Sequence, residues 1–341
     1  MILVLNCGSQ SIKWKLFSKD LKIKKEGSIT IFENKDYEKV LIGELAKIKK
    51  CEGDISAVGH RVVHSGGRFK SPLVISSSNL KRLEGFNELA PLHNPFNILG
   101  IKFSQSAFPG VKQVAFFDND FFSKLPEKAS TYALPERLRR VYNLKRFGFH
   151  GISHEYASQE GSRIIDKPLK DLKIITCHLG GGASITAINK GKAVDTSMGF
   201  TPLEGLVMMT RPGSIDPGII LLLMSSKVKK LEEILNYESG LKGICGLSDM
   251  KDVLKAVKKK NRKATLALDI FIYSIQKYIG AYFAILGGCD LLVFTGAIGS
   301  GSAKIVNMIC KPLNILKNTK VLSVKADEEL AIARKVLNIK H

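Results

Sequence analysis

Arg61, Asp118, His150, Arg211 and the triplet Gly180-Gly181-Gly182 are the residues of this chain whose types and settings suit chemistry on an anion. Arg61 lies among Val58, Val62 and Val63, where a guanidinium is costly to desolvate unless it meets an acid. A structural ion pair and a carboxylate or phosphate clamp are both open to it, since the arginine fork suits either. Asp118 closes the apolar run Val114 to Asp118, the kind of strand end at which α/β folds place chemistry. His150 and His154 stand together in FGFHGISH without an HExxH carboxylate, so separate phosphate-facing and structural roles fit better than a metal pair. Arg211, beside Pro212 and Gly213, is the anion contact of Asp195 to Pro217, a segment too long for a tight turn and too apolar for a linker. Three glycines in a row strip side chains from a turn and let successive N–H groups face one point, which makes phosphate the natural guest. An ordinary loose turn is the alternative.

Strands and turns must hold these groups. Ile174 to Ile188 reads as strand, glycine turn, strand, with β-branched runs on both sides of Leu179 to Gly182. The N-terminus repeats the design with Ile2 to Asn6 as a strand, Cys7 to Ser11 as a small polar turn and Ile12 to Phe17 as an alternating strand. Asn6 and His178 close the first strands of their hairpins, about 170 residues apart, which implies a duplicated domain with a cleft between halves, each offering a turn to a polyphosphate. Further strands are expected at Ser28 to Phe32, Ile55 to Val63, Leu291 to Phe294 and Val321 to Val324. Helical spacing marks Tyr37 to Ile48, Phe96 to Phe108, Gly218 to Ser225, Leu231 to Leu235, Ala264 to Leu286 and Asp327 to Leu337. Leu89 to Pro95 reads as a loop, and Gly240 to Asp252 as a glycine loop entering a helix capped by Ser248 or Asp249. Thr295 to Ser302 is a third glycine turn, suited to a nucleoside or its phosphates.

The chain's 341 residues are enough for two domains, and 45% hydrophobic with 24% charged content is ordinary for a soluble globular protein. No apolar run approaches the roughly 18 to 20 residues of a membrane span, and no leader pattern opens the chain, so the expectation is a cytoplasmic protein with no membrane partner. The six cysteines are scattered without a CxxC pair, which favours buried thiols over disulfides or zinc. A net charge of +21 raises nucleic acid as a partner. The excess is lysine spread along predicted helix faces without aromatic interleaving, so a solvated surface is expected and no specific nucleic-acid site. Nonspecific polyanion binding at low salt is consistent with it.

In order along the chain, NCGSQSIK from Asn6, GHRVVHSGG from Gly59, LAPLHNP from Leu89, FFD ending at Asp118, FGFHGISH from Phe147, CHLGGGASI from Cys177, DTSMGFTPLEGL from Asp195, TRPGSIDP from Thr210, GLSDMKD from Gly246 and DEELAIAR from Asp327 resemble the acetate kinase family. The resemblance implies an α/β, duplicated ribonuclease H-like, two-lobed fold of the actin and hexokinase kind. Residues 1–119 with a C-terminal helix at 330–341 would form one lobe and residues 120–329 the nucleotide-binding lobe. It implies reversible transfer of the γ-phosphoryl group of ATP to acetate, giving acetyl phosphate and ADP, with Mg²⁺ or Mn²⁺, by a homodimer whose lobes close over the substrates. By the same resemblance Asn6 and Glu328 would hold the metal. Arg61 would bind the substrate carboxylate, with Val63, Leu92, Phe149 and Pro202 around the acetate methyl and His93 in the same site. Asp118 would be the active-site acid, and His150 and Arg211 would stabilise the transition state. Lys13, Ser9, Ser11, His178, Leu179, Gly180, Gly181, Gly182, Asp249, Met250, Lys251, Ala297, Ile298, Gly299, Ser300 and Gly301 would serve the nucleotide. A carboxylate nucleophile is already ionised at neutral pH, so the difficulty is its approach to a polyanion, and positive groups around the phosphoryl are the remedy. Asp118 would then orient an arginine or a metal-bound water rather than touch the phosphoryl group.

The chain departs from the family's usual pattern at the nucleotide. Gly181 stands where asparagine is usual, Ser300 and Gly301 where Glu and Asn are, Val306 where an arginine is, and Lys251 where arginine is; the chain is also shorter, after Phe17 and before Val321. Two alternatives therefore stand beside acetate kinase. One is the same chemistry with propionate or butyrate as acceptor or a donor other than ATP. The other is a nucleotide-binding protein without turnover.

Overall fold

Alternation builds the first sheet. Strand β2 (Ser11–Phe17) buries Ile12, Trp14 and Leu16 and turns Ser11, Lys13 and Lys15 outward, whereas β1 (Ile2–Gly8) is buried on both faces as a central strand should be. With β3 (Ile23–Thr30), β4 (Ala57–Val62), β5 (Leu73–Val74) and β6 (Lys112–Phe117) they form a six-stranded sheet in the order β3-β2-β1-β4-β6-β5. β1 runs antiparallel to β2 and parallel to β4, and β4 runs parallel to β6. A second sheet comprises β7 (Lys173–Leu179), β8 (Ala183–Asn189), β9 (Lys192–Thr196), β10 (Leu291–Thr295) and β11 (Lys320–Ser323), in the order β11-β10-β7-β8-β9. Its pairings repeat those of the first: β7 antiparallel to β8, β8 antiparallel to β9, β7 parallel to β10 and β10 parallel to β11. The same five-strand ladder, built twice, is the duplicated ribonuclease H-like α/β architecture.

This computed structural model describes residues 1–9, 11–31, 36–51 and 53–339. The chain divides into one unit of Met1–Ser123 with Asp327–His341 and another of Lys124–Ala326. These boundaries lie a few residues from 119 and 330, and they keep the whole helix Glu328–Leu337 with the first unit. In that unit the helices Tyr37–Lys49 and Asn94–Ala107 cover one face of the sheet around Leu3, Leu5, Ile12 and Leu41. The other face receives Glu328–Leu337, packed so closely that a Cβ on Gly59 would lie 2.6 Å from Ile332 and 3.2 Å from Val336. In the second unit the helix Gly151–Ile164 presses Gly161 onto Leu291 and Val293, and the long helix Arg262–Leu286 buries Ala264, Leu268, Phe271, Ile275 and Ile279.

Several local expectations are corrected. The strand expected from Ser28 begins earlier, at Ile23, and its other end at Phe32 lies outside the described residues, as do Gln10 of the first turn and positions 340–341 of the expected C-terminal helix. Asn94 and Pro95 open a helix rather than end a loop, since proline in the first turn forfeits no intrahelical bond. Asp195 and Thr196 lie in β9. Gly240–Cys245 is helical, with Gly240 at φ +61 just where a Cβ would strike the carbonyl of Met208, so Gly240 marks close approach; only residues 246–249 form the loop, which enters the helix Met250–Lys258. Thr295 to Ser302 likewise contains a helical turn, Gly296–Gly299. Leu231–Glu233 passes into a wider π turn at Ile234–Glu238. All six cysteines are free thiols, with Cys7, Cys177 and Cys289 buried.

Candidate active site

Register brings the first unit's polar residues together. Leu5 pairs with His60 and Asn6 with Lys13, so Lys13, Asn6 and Arg61 lie side by side across three strands, on the face covered by the helix Glu328–Leu337. Arg61 grips Asp118 through Nη2 at 2.6 Å and Nε at 3.1 and 3.2 Å, and its Nη1 meets Glu328 at 3.0 Å and Asn6 Oδ1 at 3.4 Å. Asn6 Nδ2 donates to Glu328 at 3.5 Å and to Glu329 at 3.3 Å. Lys15 pairs with Asp327 at 2.8 Å and Glu329 at 3.8 Å. Of the two readings open to Arg61, the structural ion pair is present here. Burial alone would lower the Arg61 pKa, but Asp118 and then Glu328 more than reverse this and raise it. Burial pushes Glu328 up, Arg61 pulls it back, and Asp118 and Glu329 push it further, to about 7.

Asp118 and Glu328 thus share one guanidinium, with Glu329 beside them and reached by Lys15, so carboxylates crowd this end of the sheet. Hard oxygen donors in such a place, Asn6 Oδ1 and the Glu328 carboxylate, suit Mg²⁺, which keeps waters and phosphate oxygens for the rest of its shell. Among the described residues no group of three or more His, Cys, Asp or Glu could hold a metal ion unaided. Val63 is buried just past β4, and Leu92 and His93 are half-buried before the helix at Asn94. Ser9 and Ser11 are half-buried at the first hairpin's tip, and the Lys13 side chain is exposed.

The second unit's site sets histidines and hydroxyl groups around Arg211. His178 on β7 pairs across to Ser184 on β8, and Thr295 on β10 pairs with His178 on the other side, the lattice positions of Asn6, Lys13 and Arg61. The helix Gly151–Ile164 supplies the partners. Ser153 Oγ lies 2.8 Å from His178 Nδ1, His154 reaches Thr176 Oγ1 and Ser184 Oγ at 2.7 Å each, and His150 Nδ1 reaches Ser184 Oγ at 2.9 Å. His150 takes the left-handed conformation (φ 59) at the head of that helix and stacks on His178 with 4.3 Å between ring centroids. A Cβ on Gly182 would lie 3.3 Å from His150 Nε2 and 3.8 Å from Arg211 Nη1, so a bare backbone is what admits both groups to the hairpin tip.

The glycine turn works differently from expectation. Gly180 N–H donates to Gly182 O at 3.0 Å, so one of the three donors is spent inside the turn, and none of the three glycines has a positive φ. Gly181 O accepts from Met209 N at 3.4 Å, tying the tip to the Arg211 loop. That loop is stitched to the helix Gly240–Cys245 by Leu241 N to Met208 O and Lys242 N to Met209 O, each 3.0 Å. Among the described residues no carboxylate lies within ion-pair distance of Arg211; burial lowers its pKa, partly offset by Tyr237. Nearby, Thr295 Oγ1 is buried with no hydrogen-bond partner at the head of Gly296–Gly299. Such an atom costs stability until a ligand or water meets it.

Other expected nucleotide residues divide by role. Leu179, Met250 and Ile298 are buried and offer only backbone, whereas Gly181, Lys251, Ala297 and Gly301 are exposed and Ser300 half-buried. Asp249 caps Met250–Lys258, accepting from Lys251 N at 2.7 Å. Phe149 is buried and Pro202 half-buried in the same unit. Sequence reading missed Glu329, Lys15, Ser184 and Thr176, although a polar residue at every second place of an otherwise apolar buried strand was a visible sign of the last two. It also missed Arg146, which pairs with Glu204 at 2.6 Å and donates to Ser197 O and Met198 O at 3.3 and 3.1 Å, with the Tyr132 hydroxyl also on Glu204. This anchor holds the start of the Arg211 loop.

The chain is 41% identical to the acetate kinase of Halothermothrix orenii over 393 aligned positions, spanning 99% of each. Its structure is similar to that of Porphyromonas gingivalis acetate kinase, at 33% identity and a TM-score of 0.90 over 99% of each chain. It is also similar to a propionate kinase from Francisella tularensis, at 36% identity and a TM-score of 0.89 over 98% of each. Residues 29–337 match the family model described as the acetokinase family, and the chain belongs to that family.

Proposed function

We propose that this protein is an acetate kinase that transfers the γ-phosphoryl group of ATP reversibly to acetate, with Mg²⁺, giving acetyl phosphate and ADP. The observation that carries the reading is Arg211, a desolvated guanidinium with no acid beside it among the described residues, next to His150 at a bare glycine tip. Such a group favours an anion whose charge spreads over equatorial oxygens. The acetate nucleophile needs no base, and Asp118 serves by fixing the plane of Arg61. Asn6 and Glu328 would hold Mg²⁺, which when bound offsets phosphate charge. They are also the acceptors of Arg61 Nη1, so an acetate carboxylate competes with them for the same N–H groups. Val63, Leu92, His93, Phe149 and Pro202 would enclose the methyl end.

For the nucleotide we assign Lys13, Ser9 and Ser11 from the first hairpin, and His178 to Gly182, Asp249 to Lys251 and Ala297 to Gly301 from the second unit. The unpartnered Thr295 hydroxyl supports a phosphate or ribose oxygen at that turn. The working form is taken to be a cytoplasmic homodimer. Ile219, Leu221, Leu222 and Met224 in the helix Pro217–Ser225 support it, since they leave an apolar patch in water. No helix among the described residues is long and apolar enough to cross a membrane.

Trapping acetyl phosphate as the hydroxamate, with Mg²⁺ and a panel of donors, tests the reading. Product from acetate and ATP is expected, at higher kcat/KM than from propionate or with pyrophosphate. Absence of product with every donor defeats it.

A further inference from the structure

Ser184 has one hydroxyl proton and two histidine neighbours, and this constraint decides how His150 is protonated. Its Oγ lies 2.9 Å from His150 Nδ1 and 2.7 Å from His154 Nε2. Its oxygen could accept from both rings, but Ser184 is buried and among the described residues its hydroxyl has no acceptor besides these two nitrogens; it therefore donates to one and accepts from the other, and the two facing nitrogens carry opposite protonation. His154 is fully buried, and burial first and His178 second push its pKa well below the usual range, so its ring is neutral and bears one proton.

Thr176 selects between the two arrangements. Its hydroxyl is buried, and among the described residues its one partner is His154 Nδ1, at 2.7 Å. Were His154 to donate from Nδ1, the Thr176 proton would have no acceptor inside the sheet. The chain therefore runs from Thr176 O–H to His154 Nδ1, from His154 Nε2–H to Ser184 Oγ, and from Ser184 O–H to His150 Nδ1. His150 is left with its proton on Nε2, the nitrogen beside Gly182 at the hairpin tip.

We propose that Ser184 and His154 are positioning residues that lock His150 as the neutral Nε2–H tautomer, aiming one hydrogen-bond donor at the transferring phosphoryl group. The inference rests on the phosphoryl-transfer reading above. It makes the donor independent of imidazole protonation, because a second proton at Nδ1 would have to reverse the whole chain. The titratable and charged groups facing His150 within its unit include His178, stacked on its ring, His154 through Ser184, and Arg211 across Gly182.

Nitrogen-15 NMR of histidine-labelled protein, with His150→Gln for assignment, reads the tautomer directly. The Nε2–H pattern is expected for His150 between pH 7 and 9 on the general scale of imidazole titration. In Ser184→Ala the pattern should mix. Its kcat should fall roughly ten- to a hundredfold with little change in either KM, and the kcat profile should gain an alkaline limb as His150 must bind a proton to be sure of donating. His154→Gln keeps a donor for Ser184 and an acceptor for Thr176, and should hold the tautomer and most of the rate, whereas His154→Leu should behave like Ser184→Ala. An Nδ1–H pattern in the unaltered protein, or a Ser184→Ala enzyme with unchanged tautomer and pH profile, overturns the proposal. The NMR reading needs no turnover, so an Nε2–H signal in a protein inert toward every donor would defeat the kinase assignment and leave the tautomer lock standing.

Discussion

The two units carry the same ladder of strands, yet at matching lattice positions one presents Lys13, Asn6 and Arg61 and the other Ser184, His178 and Thr295. In the first, the arginine is held by Asp118 and Glu328, and its charge is spent within the fold. In the second, Arg211 arrives from a loop, is desolvated and meets no acid among the described residues. The difference teaches that a duplicated scaffold separates two tasks. A satisfied cation contributes to stability and orientation, and an unsatisfied one is kept for the substrate.

The largest effect should come from breaking the satisfied side. Arg61→Ala leaves Asp118 and Glu328 buried without their partner and should cost about 3–5 kcal/mol in urea unfolding, together with activity. A loss below about 1 kcal/mol, the range of an exposed pair, would dissolve the contrast. Arg211→Ala should do the reverse, lowering kcat roughly 10²- to 10³-fold while leaving the unfolding midpoint unchanged or slightly raised. A clear drop in melting temperature would show Arg211 to be structural.

Acid should affect both units. His60, buried against Gln113 at 2.7 Å, is pushed by burial down to about 4, and burial lowers His154 as well. For a histidine depressed in the fold, stability is fully present above the unfolded pKa of about 6.5 and is lost as pH falls toward the folded value. Between pH 6.5 and 4 the His60 contribution should decline by about 3 kcal/mol, and His60→Leu should flatten that limb. Circular dichroism against pH for the two proteins checks it. The smallest change is Gly182→Ala. Its methyl group would sit 3.3 Å from His150, and kcat should fall about tenfold, on the scale of 1.4 kcal/mol, with little loss of stability. An unaffected kcat would mean that the tip is roomier than its neighbours imply.

Much of this was legible in the residues. The hairpins around Asn6 and His178 follow from alternation interrupted by small turns, and both sheets obey it. Arg61 among valines announced a buried partner, but whether that partner was a protein acid or a substrate was not readable, because Asp118 and Glu328 are distant in sequence and only register brings them close. The segment at Gly240 misled because glycine signals a turn by default. Here it marks the place where a helix meets the Met208 carbonyl, a tertiary demand with no local trace. The Ser184 relay escaped for a related reason: its three bonds join two strands and a helix, and none is local.

The helix Glu328–Leu337 has a consequence for how the molecule is made. Its Ile332 and Val336 close the core over Gly59 and Val4, and its first residues face Asn6 and Arg61, yet the ribosome delivers it only after residues 124–326. Residues 124–326 are translated as an uninterrupted unit and are free to fold as they emerge, whereas the earlier 123 residues must wait, their sheet uncovered on one side, for residues 328–337. A chain halted just after residue 326 would thus keep the Arg211 half intact and leave the older half unfinished.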